Sequence, residues 1–113
     1  AFSAESDFTL GYNRRFSSLS AKAKRIFKER QGPLLINYVA HTSNLPSDHW
    51  VYDSQEGGGR ILGEMCHFVD LCSYIIGKNC TSVLSNVIGG KEDISSVLKY
   101  GKLKVKALLL LFP

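Results

Sequence analysis

Long apolar runs are missing from this chain. The longest, ALLLLF at 107–112, falls far short of the ~20 residues that a membrane-spanning helix needs. No membrane partner is therefore expected. Cysteine is scarce, with Cys66, Cys72 and Cys80 and no CxxC pair. That spacing argues against a disulfide framework and against a structural zinc site, so no metal is expected. Two of the three fall in an apolar run, where a free thiol behaves as a small hydrophobe, and a reducing cytoplasm is the expected compartment. The stretch AFSAESDFTL has no basic segment followed by an apolar core, so no signal peptide is expected. A block of one charge is also lacking. Lys and Arg number 14 against 10 Asp and Glu, a formal net charge of +4, but the basic residues are spread out. Without a basic stripe interleaved with aromatics, nucleic acid is not an expected partner. No internal repeat or low-complexity segment stands out.

What is present is an ordinary globular balance: 113 residues, 44% hydrophobic and 21% charged. A chain of this length can bury about two thirds of its unfolded surface around one modest core. DFTLGY (7–12) alternates loosely, as a short strand does. In the next stretch a serine at 17, 18 or 20 is placed to cap a helix, and Gly32–Pro33 stop it. Ala21, Ala23, Ile26 and Phe27 give that helix a partial apolar face. PLLINYVAHT (33–42) reads as a strand buried on both sides. Residues 43–59 form a loop broken by Asn, Pro, Asp and three glycines, which still holds His49, Trp50 and Tyr52. Residues 60–76 read as a helix closed by Gly77. CTSVLSNVIGG (80–90) and EDISSVLKYG (92–101) read as strands, the second alternating at Ile94, Ser96 and Leu98. The tail KLKVKALLLLFP fits a last strand or an abnormal end of the chain. The order β-α-β-loop-α-β-β-(β) predicts an α+β fold, with helices on one face of a mainly antiparallel sheet.

On a helical wheel at about 100° per residue, Arg60, Gly63, Glu64, His67, Asp70 and Tyr74 share one side of the 60–76 helix. Ile61, Leu62, Met65, Cys66, Phe68, Val69, Cys72 and Ile76 lie on the other sides, are apolar and are expected to be buried. Residues three apart are neighbours on a helix surface, so Glu64 and Asp70 both flank His67. A carboxylate beside an imidazole raises its pKa and orients one ring nitrogen, which is the material of general acid–base chemistry. The glycines at 57–59 would let a loop approach a ligand and leave N–H groups free at a helix start. The competing reading is a solvated helix face behind a plain loop. His49–Trp50 are open to a ligand-facing role or to a packing role over the core. Arg14–Arg15 suit a phosphate or carboxylate clamp, or a solvated or salt-bridged pair. Cys66 is adjacent to His67, but adjacent helical positions diverge, so it is not expected to be a nucleophile.

LGYNRRFS (10–17), PLLINY (33–38), LPSDHWVYD (45–53) and GGGRILGEMCHFVDL (57–71), in this order, resemble the Gfo/Idh/MocA family of dehydrogenases. The resemblance runs from about Thr9 to Ile88 and is densest over 45–71, closest to members associated with polysaccharide or sugar-nucleotide biosynthesis. It implies an N-terminal Rossmann domain that binds NAD or NADP. It also implies a C-terminal α/β domain whose open, largely antiparallel sheet carries substrate and oligomer contacts. On it, residues 1–16 are the last Rossmann strand or a lead-in, and 17–113 are a partial substrate and oligomerisation domain. His67 becomes the proton-transfer group, tuned by Glu64 or Asp70. Arg14, Arg15, Asn37, His49, Trp50, Gly58, Gly59 and Arg60 become the candidate contacts to a sugar-like substrate.

The chain departs from that pattern in two ways. Many members carry an acid four residues before the histidine; here Gly63 stands there and Glu64 is the neighbouring acid. The chain also has no GxGxxG after a strand and no Glu-Lys-Pro motif. No cofactor is therefore expected on this chain itself, and after about Gly90 the resemblance fades. The expectation is a fragment of an NAD(P)-dependent oxidoreductase acting on a sugar or sugar-nucleotide hydroxyl, inactive alone. The alternative is a non-enzymatic module, left from a truncated dehydrogenase, that forms homo-oligomers through its sheet.

Overall fold

A computed structural model describes residues 10–88 and 94–101, and the backbone of 105–112. A short 3-10 turn, Asn13–Phe16, leads into helix α1, Ser18–Lys28. Ser17 caps α1: its hydroxyl accepts from the Ser20 backbone N–H at 3.1 Å, covering one of the orphan donors at a helix start. The helix ends before Gly32, at Glu29, where Arg30 N–H returns to the Phe27 carbonyl. Ala23 and Phe27 are half-buried, while Ala21 and Ile26 lie exposed, so the apolar face is narrower than the pattern implied.

Strand β1 is Leu34–His41, β2 is Ser82–Val87, β3 is Ile94–Lys99 and β4 is Val105–Phe112. They form one sheet in the order β1-β4-β3-β2. β1 runs parallel to β4, and the other two pairings are antiparallel. The α+β class and the mainly antiparallel sheet are borne out. The tail is a strand between β1 and β3, inside the sheet. Residues 7–9 of the expected first strand lie outside the described residues, and 10–12 are not strand.

β1 corrects one expectation. It stands at the sheet edge and alternates half-buried and exposed along its length. Leu34, Ile36, Tyr38 and Ala40 pack on the core, while Leu35, Asn37, Val39 and His41 face away from it. Strand residues alternate between faces, so one covered face accounts for the pattern. β3 alternates as read, with Ile94, Ser96 and Leu98 buried.

Helix α2, Cys66–Ile76, covers the inner face and ends on Gly77 in the left-handed conformation (φ 77°). Met65, Phe68, Cys72 and Ile76 meet Ile94, Leu98 and Tyr100 to form the core. The Tyr38 ring stacks on Phe68 with centroids 4.7 Å apart, which binds β1 to α2. Before α2 the chain makes one π-helical turn, Ile61–Met65. A π turn inserts an extra residue per turn, so everything before Cys66 is rotated relative to an α-helical wheel.

Candidate functional site

That rotation splits the polar stripe. Arg60, expected on the polar side, is buried. Its Nη2 donates to the Ser43 carbonyl at 2.8 Å and its Nε to Glu64 Oε1 at 3.3 Å. Leu62, expected to be buried, is exposed. A charge is tolerated inside when it is paired and hydrogen-bonded, and Arg60 meets both conditions. Its place is inside the fold, tying the 60–64 turn to the loop after β1.

Asp70 also departs from the expected arrangement. Both of its oxygens are held by Arg15: Nε donates to Oδ2 at 3.0 Å and Nη2 to Oδ1. This fork-to-fork geometry is the strong form of an arginine–carboxylate contact. The charge of Asp70 lifts the Arg15 pKa through that hydrogen bond. The Arg15 guanidinium also lies 5.5 Å from the Tyr74 ring centroid. Asp70 thus fastens the 13–16 turn to α2, and it lines a different groove from the one that His67 lines. That groove, of about 550 Å³, runs between α2 and the inner face of β2 and β3 and is lined by Leu62, Met65, Val69, Val83 and Leu98 among others.

His67 lies in the first turn of α2, half-buried, with the Tyr12 ring edge-on at 5.5 Å. It lines a cleft of about 310 Å³ with Asn13, Arg14, Thr42, Gly63, Glu64 and Phe68. Its Nδ1 is buried and has no hydrogen-bond partner among the described residues. Nε2 is then the nitrogen open to a ligand. Buried polar atoms are nearly always satisfied, so an unpartnered ring nitrogen sets His67 apart from an ordinary structural histidine. Arg14 is fixed there by two contacts. Its Nη1 donates to Tyr38 Oη at 3.2 Å, and its guanidinium carbon lies 4.9 Å from the Phe68 ring centroid.

The other candidates stand apart from this cleft. Asn37 projects from the face of β1 turned away from α2. His49 and Trp50 begin a 3-10 turn, Trp50–Tyr52, where Val51 is the buried residue and Trp50 is 59% exposed. His49 Nδ1 accepts from the Val51 backbone N–H at 3.2 Å, which makes His49 a local cap. The glycine N–H groups are already in use. Gly57 and Gly58 donate to the Asp53 carbonyl at 2.9 and 2.8 Å, and Gly59 donates to the Val51 carbonyl at 2.7 Å. Gly58 and Gly59 adopt φ of 67° and 87°, as glycine readily does. The loop closes on itself and leaves no donor cradle for a phosphate.

Cys66 Sγ donates to the Leu62 carbonyl at 2.8 Å, and burial pushes its thiol pKa up, which suits packing better than nucleophilic attack. Among the described residues no group of three His, Cys, Asp or Glu could hold a metal ion, and no helix is long and apolar enough to cross a membrane. Sequence reasoning missed Asn13, Thr42, Tyr38 and Phe68. Tyr38 was within reach, since it shares the inward parity of Leu34 and Ile36 on β1.

Solved structures share this fold. A protein from Sinorhizobium meliloti 1021 designated a myo-inositol dehydrogenase superposes with a TM-score of 0.73 at 17% identity, over 90% of this chain and 33% of its own. A protein from Thermotoga maritima designated a dehydrogenase gives 0.73 at 18% identity, over 90% of this chain and 33% of its own. A protein from Bordetella bronchiseptica RB50 designated a dehydrogenase gives 0.69 at 18% identity, over 88% of this chain and 28% of its own. The fold is one that dehydrogenases contain. At these identities the likeness is one of fold, and the resemblance read from the sequence is borne out at that level. The chain spans about a third of the length of the solved structures it matches. Coverage of 90% takes the likeness past Gly90, beyond the point where the motifs fade. No protein-family model and no curated protein matches the sequence.

Proposed function

We propose that this chain is the substrate-binding part of an NAD(P)-dependent dehydrogenase of the Gfo/Idh/MocA type, working on a hydroxyl of a sugar or sugar nucleotide. The observation that carries the reading is His67, with one nitrogen buried and unpartnered and the other open to a polar cleft. An imidazole so placed can accept the proton of a substrate hydroxyl at Nε2 and return it in the reverse direction. Asn13 offers hydrogen bonds to neighbouring hydroxyls, and Thr42 lines the same cleft. Asp70 has no direct share in this chemistry, because Arg15 occupies it. Glu64 reaches the cleft but is held by Arg60. A nicotinamide cofactor would supply hydride acceptance in the whole enzyme. The residues present do not fit its phosphates, since the glycine amides are used internally, so no hydride step is drawn through this chain.

Two titrations of the full chain test the reading. In the first, myo-inositol, glucose and a UDP-sugar are added while the His67 imidazole signals are followed by NMR. A hydroxyl ligand should shift those signals, and His67→Asn should weaken its binding. If none of these ligands moves His67 in a folded chain, the proposal fails. In the second, calorimetry with NAD(H) should give no binding, and a micromolar affinity would overturn the assignment to a cofactor-free part.

The uncovered sheet face favours a second reading, a homo-oligomerising module without surviving chemistry. Leu35, Val39 and Leu84 are all more than half exposed on that face. Sedimentation velocity of the chain should then show a dimer or tetramer that Val39→Lys disperses. A monomer at every concentration would end this reading.

A further inference from the structure

Arg14, Arg15 and Arg60 lie in or against the 60–76 segment, and two of them have carboxylate partners. Arg15 holds Asp70, and Arg60 holds Glu64. Arg14 has no carboxylate partner among the described residues. A guanidinium carries five N–H donors in a rigid fork. One N–H of Arg14 is used on Tyr38, and one face of its plane rests on Phe68. These contacts fix the group and leave the other donors free at the wall of the His67 cleft. Glu64 is the carboxylate lining that cleft, and its charge is matched by the buried Arg60. Among the described residues, the uncompensated charge facing a ligand is therefore the positive charge of Arg14.

We infer that the ligand of this cleft carries an anionic group, a carboxylate or a phosphate, which seats on Arg14 while a hydroxyl of the same molecule meets His67. The inference rests on the reading of His67 given above and goes further by naming the substrate class, a sugar acid or sugar phosphate and not a neutral polyol. Three physical points support it. A guanidinium fork matches a carboxylate or phosphate edge with two parallel hydrogen bonds. The fork is already held by Tyr38 and Phe68, so little freedom is lost when an anion binds. A neutral polyol would cover those donors without matching their charge, and a desolvated charged donor left unmatched is costly.

The test uses the full chain, labelled with nitrogen-15, at low ionic strength where a surface charge is least screened. Glucuronate, glucose 6-phosphate and glucose are titrated while Arg14 Nε–Hε and the His67 imidazole are followed. At least one of the two acids should bind about tenfold more tightly than glucose or better, the scale of one charge-assisted hydrogen bond. Which acid wins tells carboxylate from phosphate. Arg14→Gln should erase the preference and leave weak glucose binding, while Arg14→Lys should keep part of it. Equal affinity for all three sugars, or a preference that survives Arg14→Gln, overturns the inference. A response at Arg14 without one at His67 supports the anion seat and overturns the proton-transfer reading. No response at either group overturns both.

Discussion

Gly57→Ala is the substitution that best separates a buttressed turn from a ligand loop. A Cβ built on Gly57 would lie 2.3 Å from the Val51 carbonyl oxygen and 2.4 Å from its carbonyl carbon and Cα. Carbon atoms in good contact stand about 3.5–4.0 Å apart, so the two backbones must part by about 1 Å. No rotamer can relieve this clash, because the obstacle is backbone. Forced overpacking of this kind costs about 1–3 kcal/mol. The parting also threatens the hydrogen bond from Gly59 N–H to the Val51 carbonyl, now 2.7 Å, whose loss adds about 1 kcal/mol. The total is about 2–4 kcal/mol. Gly59→Ala is the matched control: it has open space around a Cβ but a φ of 87°, so only backbone strain of about 1 kcal/mol applies. Urea unfolding followed by far-ultraviolet dichroism and by the fluorescence of Trp50, the one tryptophan, reads both. With a urea slope of about 1–3 kcal/mol/M, Gly57→Ala should lose about 1–2 M of midpoint. Equal midpoints for the wild type and Gly57→Ala, or a larger loss for Gly59→Ala, would refute the buttress.

Alkaline pH should weaken the fold. Burial pushes the Cys72 thiol up to about 11 from 9.0, and the Tyr100 phenol up to about 12 from 10.0 against a weaker opposing pull from Ser73. Both hold their protons more tightly when folded, so stability is full below pH 9.0 and falls as pH rises towards 11 and 12, by about 2–3 kcal/mol per group. A urea midpoint that stays flat from pH 8 to pH 11 would contradict this, and Cys72→Val should remove its share of the slope. Leu98→Ala, at a side chain with no exposure, should cost about 2–5 kcal/mol, read from the same denaturation curves. Ser17→Ala should cost about 1 kcal/mol through the lost cap on α1, and Ser17→Asp should restore it.

Much of the fold was legible because local chemistry and packing agreed. Ser17 caps, Gly77 ends α2 in the left-handed region, and the alternation of Ile94, Ser96 and Leu98 is the alternation of burial. The site was less legible, for four separate reasons. The wheel for 60–76 assumed one period, and the π turn broke it, which sent Arg60 inward and Leu62 outward. The partner of Asp70 lies 55 residues away, so helical spacing could not reveal that its carboxylate was engaged. Asn37 needed knowledge of which face of β1 takes α2, and a strand that is apolar at both parities does not declare it. The glycine amides failed as a ligand cradle because Asp53 and Val51 accept from them, a pairing set by loop closure.

The dipeptide Arg14–Arg15 shows how one local turn divides structure from chemistry. A 3-10 turn has three residues per turn, so consecutive side chains leave it about 120° apart. Arg15 leaves towards Asp70 and Tyr74 and clamps the turn onto α2. Arg14 leaves towards Tyr38 and Phe68 and lines the His67 cleft. The two roles depend on each other. No residue of 13–16 is buried, so the turn is held by side-chain contacts: the Arg15–Asp70 clamp and those of Arg14 with Tyr38 and Phe68. Without the clamp, Arg14 would be held over Phe68 by its own contacts alone. The carboxylate once read as a partner for His67 thus acts on the cleft from behind, by holding in place the arginine that faces it.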